Sequence, residues 1–448
     1  MGLFDRLRGG DHPRVAFFGI DGVPHSLIRD QPDTFPNLHE LASEGSAGAI
    51  DSIVPPESSA CWPSLTTGVN PGKTGVYGFT DRETGSYDTY VPMGADVQAT
   101  RVWDRVEDAG RSSTVLNVPV TFPPQRDVQR MVSGFLSPGV DRAAYPDDLR
   151  EYLEDLGWAM DVDAQLGHED DLGPFVENAH DVLESRYEAF SHYVAEDDWD
   201  LLFGVFMTTD RVNHFLFDDY EEDGEYREAF LEFFATVDEY LGKLRDQLPD
   251  DVTMVVASDH GFTSLDYEVH CNVWLEEQGW LSFAGDDPEN LADIGPDARA
   301  YSFIPGRFYL NLEGREPRGV VPQDEYESVR AELKADIEAL EGPDGRPVVD
   351  RVVEKEAAFD GPHDAIAPDL VAIPNHGFDL KSGFAGGDAV FDTGPRDGMH
   401  SFSNATLHVD DPSVRVDGDV NLFDVAPTIL DLMDLEFDAA AFDGRSLA

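Results

Sequence analysis

Val15-Ala-Phe-Phe-Gly-Ile-Asp21-Gly22 is a short, almost wholly apolar run that ends on a carboxylate and a glycine. A run of this length bounded by a turn signal predicts a strand buried on both faces of a parallel sheet. Open α/β sheets bind ligands at the carboxyl ends of their strands, so Asp21 stands where chemistry is usually done. Taken alone, an Asp–Gly pair is also a common turn. The case for chemistry rests on residues further along the chain.

The pattern recurs. Leu201-Leu-Phe-Gly-Val-Phe-Met-Thr-Thr-Asp210 reads as a second buried strand ending on Asp, with His214 four residues on. Side chains at i and i+4 of a helix share a face and can hold one ion. Val252-Thr-Met-Val-Val-Ala-Ser-Asp259-His260-Gly261 is a third such strand, now with a histidine beside the acid. Thr114-Val-Leu-Asn117-Val-Pro119 reads as a further core strand with a polar exit. Between these lies Ser58-Ser59-Ala-Cys61-Trp62-Pro63-Ser64-Leu-Thr66-Thr67-Gly68, a predicted helix capped by Ser58 or Ser59 and stopped by Gly68. A hydroxyl at a helix N-terminus faces free N–H groups, a natural seat for a phosphate or an alkoxide nucleophile. Further helices are predicted over 36–44, 182–195, 226–248 and 421–433. From 265 to 394 the pattern is less regular. The expected division is therefore a core of 1–264 plus 395–448, with 265–394 partly an inserted cap. The fold class is α/β, with helices on both faces of a mostly parallel sheet.

Composition narrows the partners. The 448 residues hold 90 acidic against 31 basic side chains, a formal charge of −59. Such a charge repels nucleic-acid polymers and anionic lipid surfaces. Hydrophobic residues make up 41%, so a folded core is expected and disorder is not. Lysine is confined to Lys73, Lys243, Lys334, Lys355 and Lys381. High acid, scarce lysine and an intact core pattern resemble proteins of salt-loving archaea. Cys61 and Cys271 build no disulfide framework. No apolar run approaches the roughly 20 residues that span a bilayer. The N-terminal stretch Met1–Arg8 lacks a signal-peptide apolar region, and a brief amphipathic helix there is the only membrane contact it suggests. A cytoplasmic protein is expected, its oligomeric state left open.

Asp21, Asp210 and Asp259 thus meet at one sheet edge, joined by His214, His260 and His400. Three acids left bare together repel, raising at least one pKa. A pair of divalent cations removes the conflict. Mixed Asp and His ligands suit zinc, with manganese or iron as alternatives. Two metals can clamp the attacking and leaving oxygens of an in-line displacement.

With these residues in view, the chain resembles the alkaline phosphatase superfamily, and within it the type I phosphodiesterase/nucleotide pyrophosphatase branch. Members carry a first-strand Asp, a Thr or Ser nucleophile nine residues before a Thr-Gly, an Asp-x-x-x-His, an Asp-His-Gly and a late His. Asp21, Ser58 before Thr67-Gly68, Asp210 with His214, Asp259-His260-Gly261 and His400 match in order. The closing Asp424-Val-Ala-Pro-Thr and Asp443-Gly-Arg-Ser-Leu also look like family endings. The resemblance implies a three-layer alkaline-phosphatase-like core. It implies one metal on Asp210, His214 and His400, and another on Asp21, Asp259, His260 and the Ser58 oxygen. It further implies attack by Ser58 on a small phosphorylated substrate, possibly a nucleotide or phosphodiester, through a phosphoserine intermediate.

There are departures. The branch has an Asn 21 residues after its nucleophile that donates to a phosphoryl oxygen; that position is Phe79. Asn117 or Lys73 are the candidate substitutes for substrate binding. Ser59 is a rival nucleophile. A phosphomonoesterase or phosphomutase of the same superfamily, cleavage of phosphonates, and a metal-stabilised binding protein without turnover are the other readings. A sulfatase is another, since Cys61-Trp-Pro63-Ser64 resembles the start of a Cys-x-Pro-Ser-Arg motif. Leu65 stands where Arg is needed, however, and Cys61 is better read as a small buried apolar residue.

Overall fold

The computed structural model describes residues 12–448 apart from 197, 285–287, 289 and 384–388. The proposed N-terminal amphipathic helix lies outside the described residues. The Arg14–Ile20 strand occupies the middle of an eight-stranded sheet. It pairs in parallel with Leu201–Phe206 on one side and Val252–Ala257 on the other. Ser113–Val118 and Arg130–Ser133 continue the parallel run. Antiparallel strands complete both edges: Ala405–Val409 and Ser46–Ile50 at one, Ala144–Tyr145 at the other.

Alternation along the first strand shows why the sheet is covered twice. Ala16, Phe18 and Ile20 point into a cluster with Phe190, Phe230 and Phe234 from the helices Gly173–Glu196 and Arg227–Gln247. Val15 and Phe17 point the other way, into a cluster with Trp62, Trp103 and Ile429. With period two and both faces apolar, the strand can only be an inner layer. The three-layer α/β/α expectation holds.

Gly19 is required by a close approach. A Cβ there would stand 2.4 Å from the Trp62 ring and 3.0 Å from Val205. The Trp62 ring packs against the strand at this point, and its indole N–H reaches Asp21 at 2.7 Å. Gly19→Ala is expected to cost about 1–3 kcal/mol by overpacking, read as a lowered urea midpoint with unchanged slope. An unchanged midpoint would mean that Trp62 has room to move.

Several boundaries differ from the sequence reading. The 58–68 helix runs Ser58–Thr67 with Gly68 in the left-handed conformation, as expected, but Glu57 is the N-cap and Ser58 is the first helical residue. The second acidic strand stops at Phe206; Asp210 sits in the first turn of the helix Thr208–Glu221 and not on a strand end. The predicted 182–195 helix begins at Gly173.

The segment after Gly261 carries its own apolar cluster, which includes Val269, Trp274, Tyr309, Leu333 and Leu370. Its main sheet is formed by Ala300–Phe303, Arg307–Leu310, Leu370–Pro374 and Val349–Glu354. It does not stand alone, because the earlier hairpin Asp81–Arg82/Thr89–Tyr90 is tied to it by charge. Asp81 accepts from Arg307 at 2.6 Å and Arg82 donates to Glu316 at 3.2 Å, with all four side chains buried. The strand Gly261–His270 leads out of the core and pairs antiparallel with Gly398–Ser401, placing Phe262 opposite His400.

Candidate metal centre and nucleophile

The first strand ends at Ile20, and the chain turns through Gly22 at φ +67°, a conformation that suits glycine. The turn leaves Asp21 fully buried at the sheet's carboxyl edge. The Gly22 N–H donates to Asp259 Oδ1 at 3.2 Å, which joins the ends of two neighbouring strands. Ser58 Oγ lies 3.3 Å from Asp21 Oδ1 and 3.1 Å from His260 Nε2. Ser59 Oγ is buried without a hydrogen-bond partner, so Ser58 is the hydroxyl brought to the carboxylates.

The second half assembles on the helix Thr208–Glu221 and the ladder strand Gly398–Ser401. His400 Nε2 is 3.1 Å from both Asp210 Oδ1 and His214 Nε2. His260 stacks on His400 with ring centroids 3.7 Å apart. Asp21, Asp210, His214, Asp259, His260, His400 and Ser58 therefore form one constellation. Ligand atoms of Asp21, Asp259 and His260 lie within 4.8 Å of one another, as do those of Asp210, His260 and His400.

Hydrogen bonding fixes the histidine tautomers. Nδ1 of His214 faces the Gly398 carbonyl at 3.0 Å, Nδ1 of His260 the Gly261 carbonyl at 3.0 Å, and Nδ1 of His400 the Pro56 carbonyl at 3.1 Å. A carbonyl only accepts, so each Nδ1 carries a hydrogen, and each ring in its neutral form offers an Nε2 lone pair. Lone pairs at 3.1 Å from one another and from a carboxylate repel unless a cation lies among them. Carbonyl-anchored rings of this kind are the usual support of metal-ligating histidines.

Charge tells the same story. Burial, reinforced by Asp259 and Asp210, pushes the Asp21 carboxyl well above the usual range. Burial pushes Asp259 up to about 7, with Asp210 adding to it. Its Oδ2 is buried with no hydrogen-bond partner. Asp210 is also fully buried, yet His214 and His400, with Arg211, hold it well below the usual range. Burial likewise lowers the basicity of His214 and His260. Buried, mutually repelling carboxylates beside imidazoles that can turn Nε2 lone pairs toward them are a donor set that fits divalent cations.

Two cavities meet at His400. The first, about 220 Å³, is lined by Ser58, Phe79, Phe135, Arg211, Lys381 and Arg396 among others. The second, about 420 Å³, includes Asp51, Arg351, His376 and Phe402, and shares Pro56, Pro374, Met399 and His400 with the first.

The suggested substrate-binding residues lie elsewhere. Lys73 is engaged by Asp443. Asn117 is buried and donates its side-chain amide to the Val205 carbonyl at 2.9 Å. Neither lines the first cavity. Cys61 is buried against Ser52 Oγ at 3.3 Å, and burial pushes its thiol well above the usual range. The sequence reading missed Phe135, Arg211 and Arg396. Only Arg211 carried a signal, its place directly after Asp210.

Buried Asp and His side chains gathered around a serine at the end of a parallel sheet define a phosphoester hydrolase of the alkaline phosphatase superfamily. A family model described as type I phosphodiesterase / nucleotide pyrophosphatase matches residues 15–403, and the chain belongs to this metal-dependent family. No curated protein matches the sequence. Among solved structures, phosphonoacetate hydrolase from Sinorhizobium meliloti 1021, bound to phosphonoformate, is similar with TM-score 0.61 at 18% identity, over 94% of this chain and 95% of that one. Murine ectonucleotide pyrophosphatase/phosphodiesterase 5, as an inactive variant with AMP, gives 0.56 at 14% identity, over 97% of each chain. The human counterpart gives 0.56 at 12%, over 96% of this chain and 97% of that one. These likenesses concern the fold.

Proposed function

We propose that this protein hydrolyses phosphodiesters through a phosphoserine at Ser58. The observation that carries the reading is the position of Ser58 Oγ between Asp21 Oδ1 and His260 Nε2, at the mouth of the Asp/His set. One cation would be held by Asp21, Asp259 and His260, beside the Ser58 oxygen. The other would be held by Asp210, His214 and His400; the proximity of His260 to Asp210 and His400 makes it a neighbour of both. Two such cations, zinc or else manganese or iron, would neutralise the carboxylates and supply Lewis acidity toward the serine and phosphoryl oxygens.

Ser58 Oγ attacks phosphorus opposite the leaving oxygen. A P–Oγ bond forms, one ester P–O bond breaks, and the proton of the Ser58 hydroxyl ends on the departing alcohol; water then cleaves the P–Oγ bond, which restores the hydroxyl and releases the phosphomonoester. The helix that presents Ser58 also turns its N-terminal N–H groups toward the incoming phosphoryl oxygens.

Cavities on both sides of His400 favour a diester, because each ester substituent then has its own space. Small diesters, nucleotide-derived esters included, are the proposed class. Cys61 lines neither cavity and lies against Ser52 instead, which speaks against sulfatase chemistry, since that needs the side chain at the reaction centre. The acidic, lysine-poor composition supports a high-salt setting, and we keep a cytoplasmic location and a 265–394 cap as part of this reading. Among the described residues no helix is long and apolar enough to cross a membrane.

The test compares bis-p-nitrophenyl phosphate, p-nitrophenyl phosphate and p-nitrophenyl sulfate in molar salt, with and without Zn²⁺ or Mn²⁺. Metal-dependent turnover with kcat/KM highest for the diester is expected. A preference for the sulfate overturns the assignment, and inactivity on all three with metal bound supports a binding protein instead.

A further inference from the structure

The first cavity holds three cationic side chains, and two already have anionic partners. Lys381 is engaged by Asp379 and lies 3.7 Å from Glu268. Arg211 is bound by Asp210 at 3.1 Å and Asp161 at 3.0 Å. Arg396 has no hydrogen bond and no ion pair among the described residues, although its field reaches Asp379 and His214. In a chain with a formal charge of −59, carboxylates are abundant, so a guanidinium left without one inside the reactive cleft calls for a reason.

The position supplies it. Arg396 stands four residues before His400 on the approach to the ladder strand Gly398–Ser401, and lines the same cavity as Ser58 and His400. The site described above would take the scissile phosphoryl group. A guanidinium offers a planar fork of donors matched to a second oxyanion. Phe79 and Phe135, which line the same cavity with ring centroids 6.1 Å apart, offer apolar surface suited to a spacer between two charged ends.

We infer that Arg396 is a specificity-determining residue that binds a second oxyanion, carboxylate or phosphate, on the substituent seated in the first cavity. The inference rests on the phosphodiesterase reading. It narrows the substrate class to diesters that carry an anionic tail a few bonds from the scissile phosphorus.

The test uses p-nitrophenyl diesters with three matched tails: propyl, 3-carboxypropyl and 3-phosphopropyl. With Zn²⁺ present, the native protein should favour the better anionic tail over propyl by at least about 10-fold in kcat/KM, the strength of a charge-assisted contact. Comparing the two anionic tails tells carboxylate from phosphate. Arg396→Gln should lower kcat/KM for that tail about 30-fold but for propyl no more than about 3-fold, with KM carrying the change. Arg396→Lys should recover part of the preference. Equal rates for all three tails, or an equal loss on all three in Arg396→Gln, overturns the role of Arg396 while leaving the hydrolase assignment standing. Calorimetric binding of propylphosphonate and 3-carboxypropylphosphonate to the Zn²⁺-loaded protein separates the two readings. If no ester turns over, the hydrolase assignment fails. Tighter binding of the carboxylate by native protein but not by Arg396→Gln would still support Arg396, and equal binding would overturn it.

Discussion

Ser58→Ala is expected to lose about 1,000-fold or more in kcat while binding as much metal as the native protein. The helix Ser58–Thr67 presents its first residue to Asp21 and His260. Removing Oγ leaves Asp21, Asp259 and His260 in place, so the cation-holding side chains are unchanged. What disappears is the atom that forms the bond to phosphorus. Elemental analysis should show unchanged metal stoichiometry beside the lost rate. Ser59→Ala should keep turnover, because it is Ser58 Oγ, and not Ser59 Oγ, that is bonded to Asp21 and His260. Retained activity in Ser58→Ala with an inactive Ser59→Ala would move the nucleophile by one residue.

The second large effect is linkage between metal, protons and stability. In the metal-free protein, burial raises the Asp259 carboxyl to about 7 from an ordinary value of 3.8. A folded-state pKa above the unfolded one contributes stability at low pH that is lost as pH rises. Between about pH 4 and 7 this group therefore lowers the stability of the metal-free form as pH rises. Asp21, raised in the same direction, adds to the loss. Divalent cations reverse the balance, since they bind the ionised carboxylates and release the protons. Chelator-treated protein should therefore lose stability steadily from pH 5 to 7 in constant molar salt. Zn²⁺-loaded protein should not, and metal binding at pH 6 should release about one proton or more. Asp259→Asn should flatten the metal-free profile while weakening metal binding. A metal-free profile that rises over the same range would show that these carboxylates are ionised without a cation.

Much of this site was legible because its pieces lie at local, repeating places. Asp21 and Asp259 follow apolar runs directly, and His260 adjoins the second of them. The i and i+4 spacing of Asp210 and His214 needs only a helix. The error at Asp210 was one of boundary. Its helix has Met207 as an uncapped N-cap, so nothing in the sequence marks where the strand Leu201–Phe206 stops. Lys73 and Asn117 lie away from the first cavity, for a different reason. Their partners, Asp443 and the Val205 carbonyl, come from distant parts of the chain. The same holds for the Asp81–Arg307 and Arg82–Glu316 pairs, which tie an early hairpin to the later segment. Arg396 is marked by having no ion-pair partner among the described residues, which only three dimensions reveal.

The antiparallel pairing of Gly261–His270 with Gly398–Ser401 decides how far the intervening stretch is free to vary. Side chains alternate faces along a strand, so a slip by one residue would turn the His400 ring away from Asp210. Registry at this short clasp, and not the path of the chain between its arms, keeps that ring in place. Loops and strands beyond the clasp can lengthen, shrink or be reshaped to admit new esters, and the chemistry at its base need not be rebuilt each time.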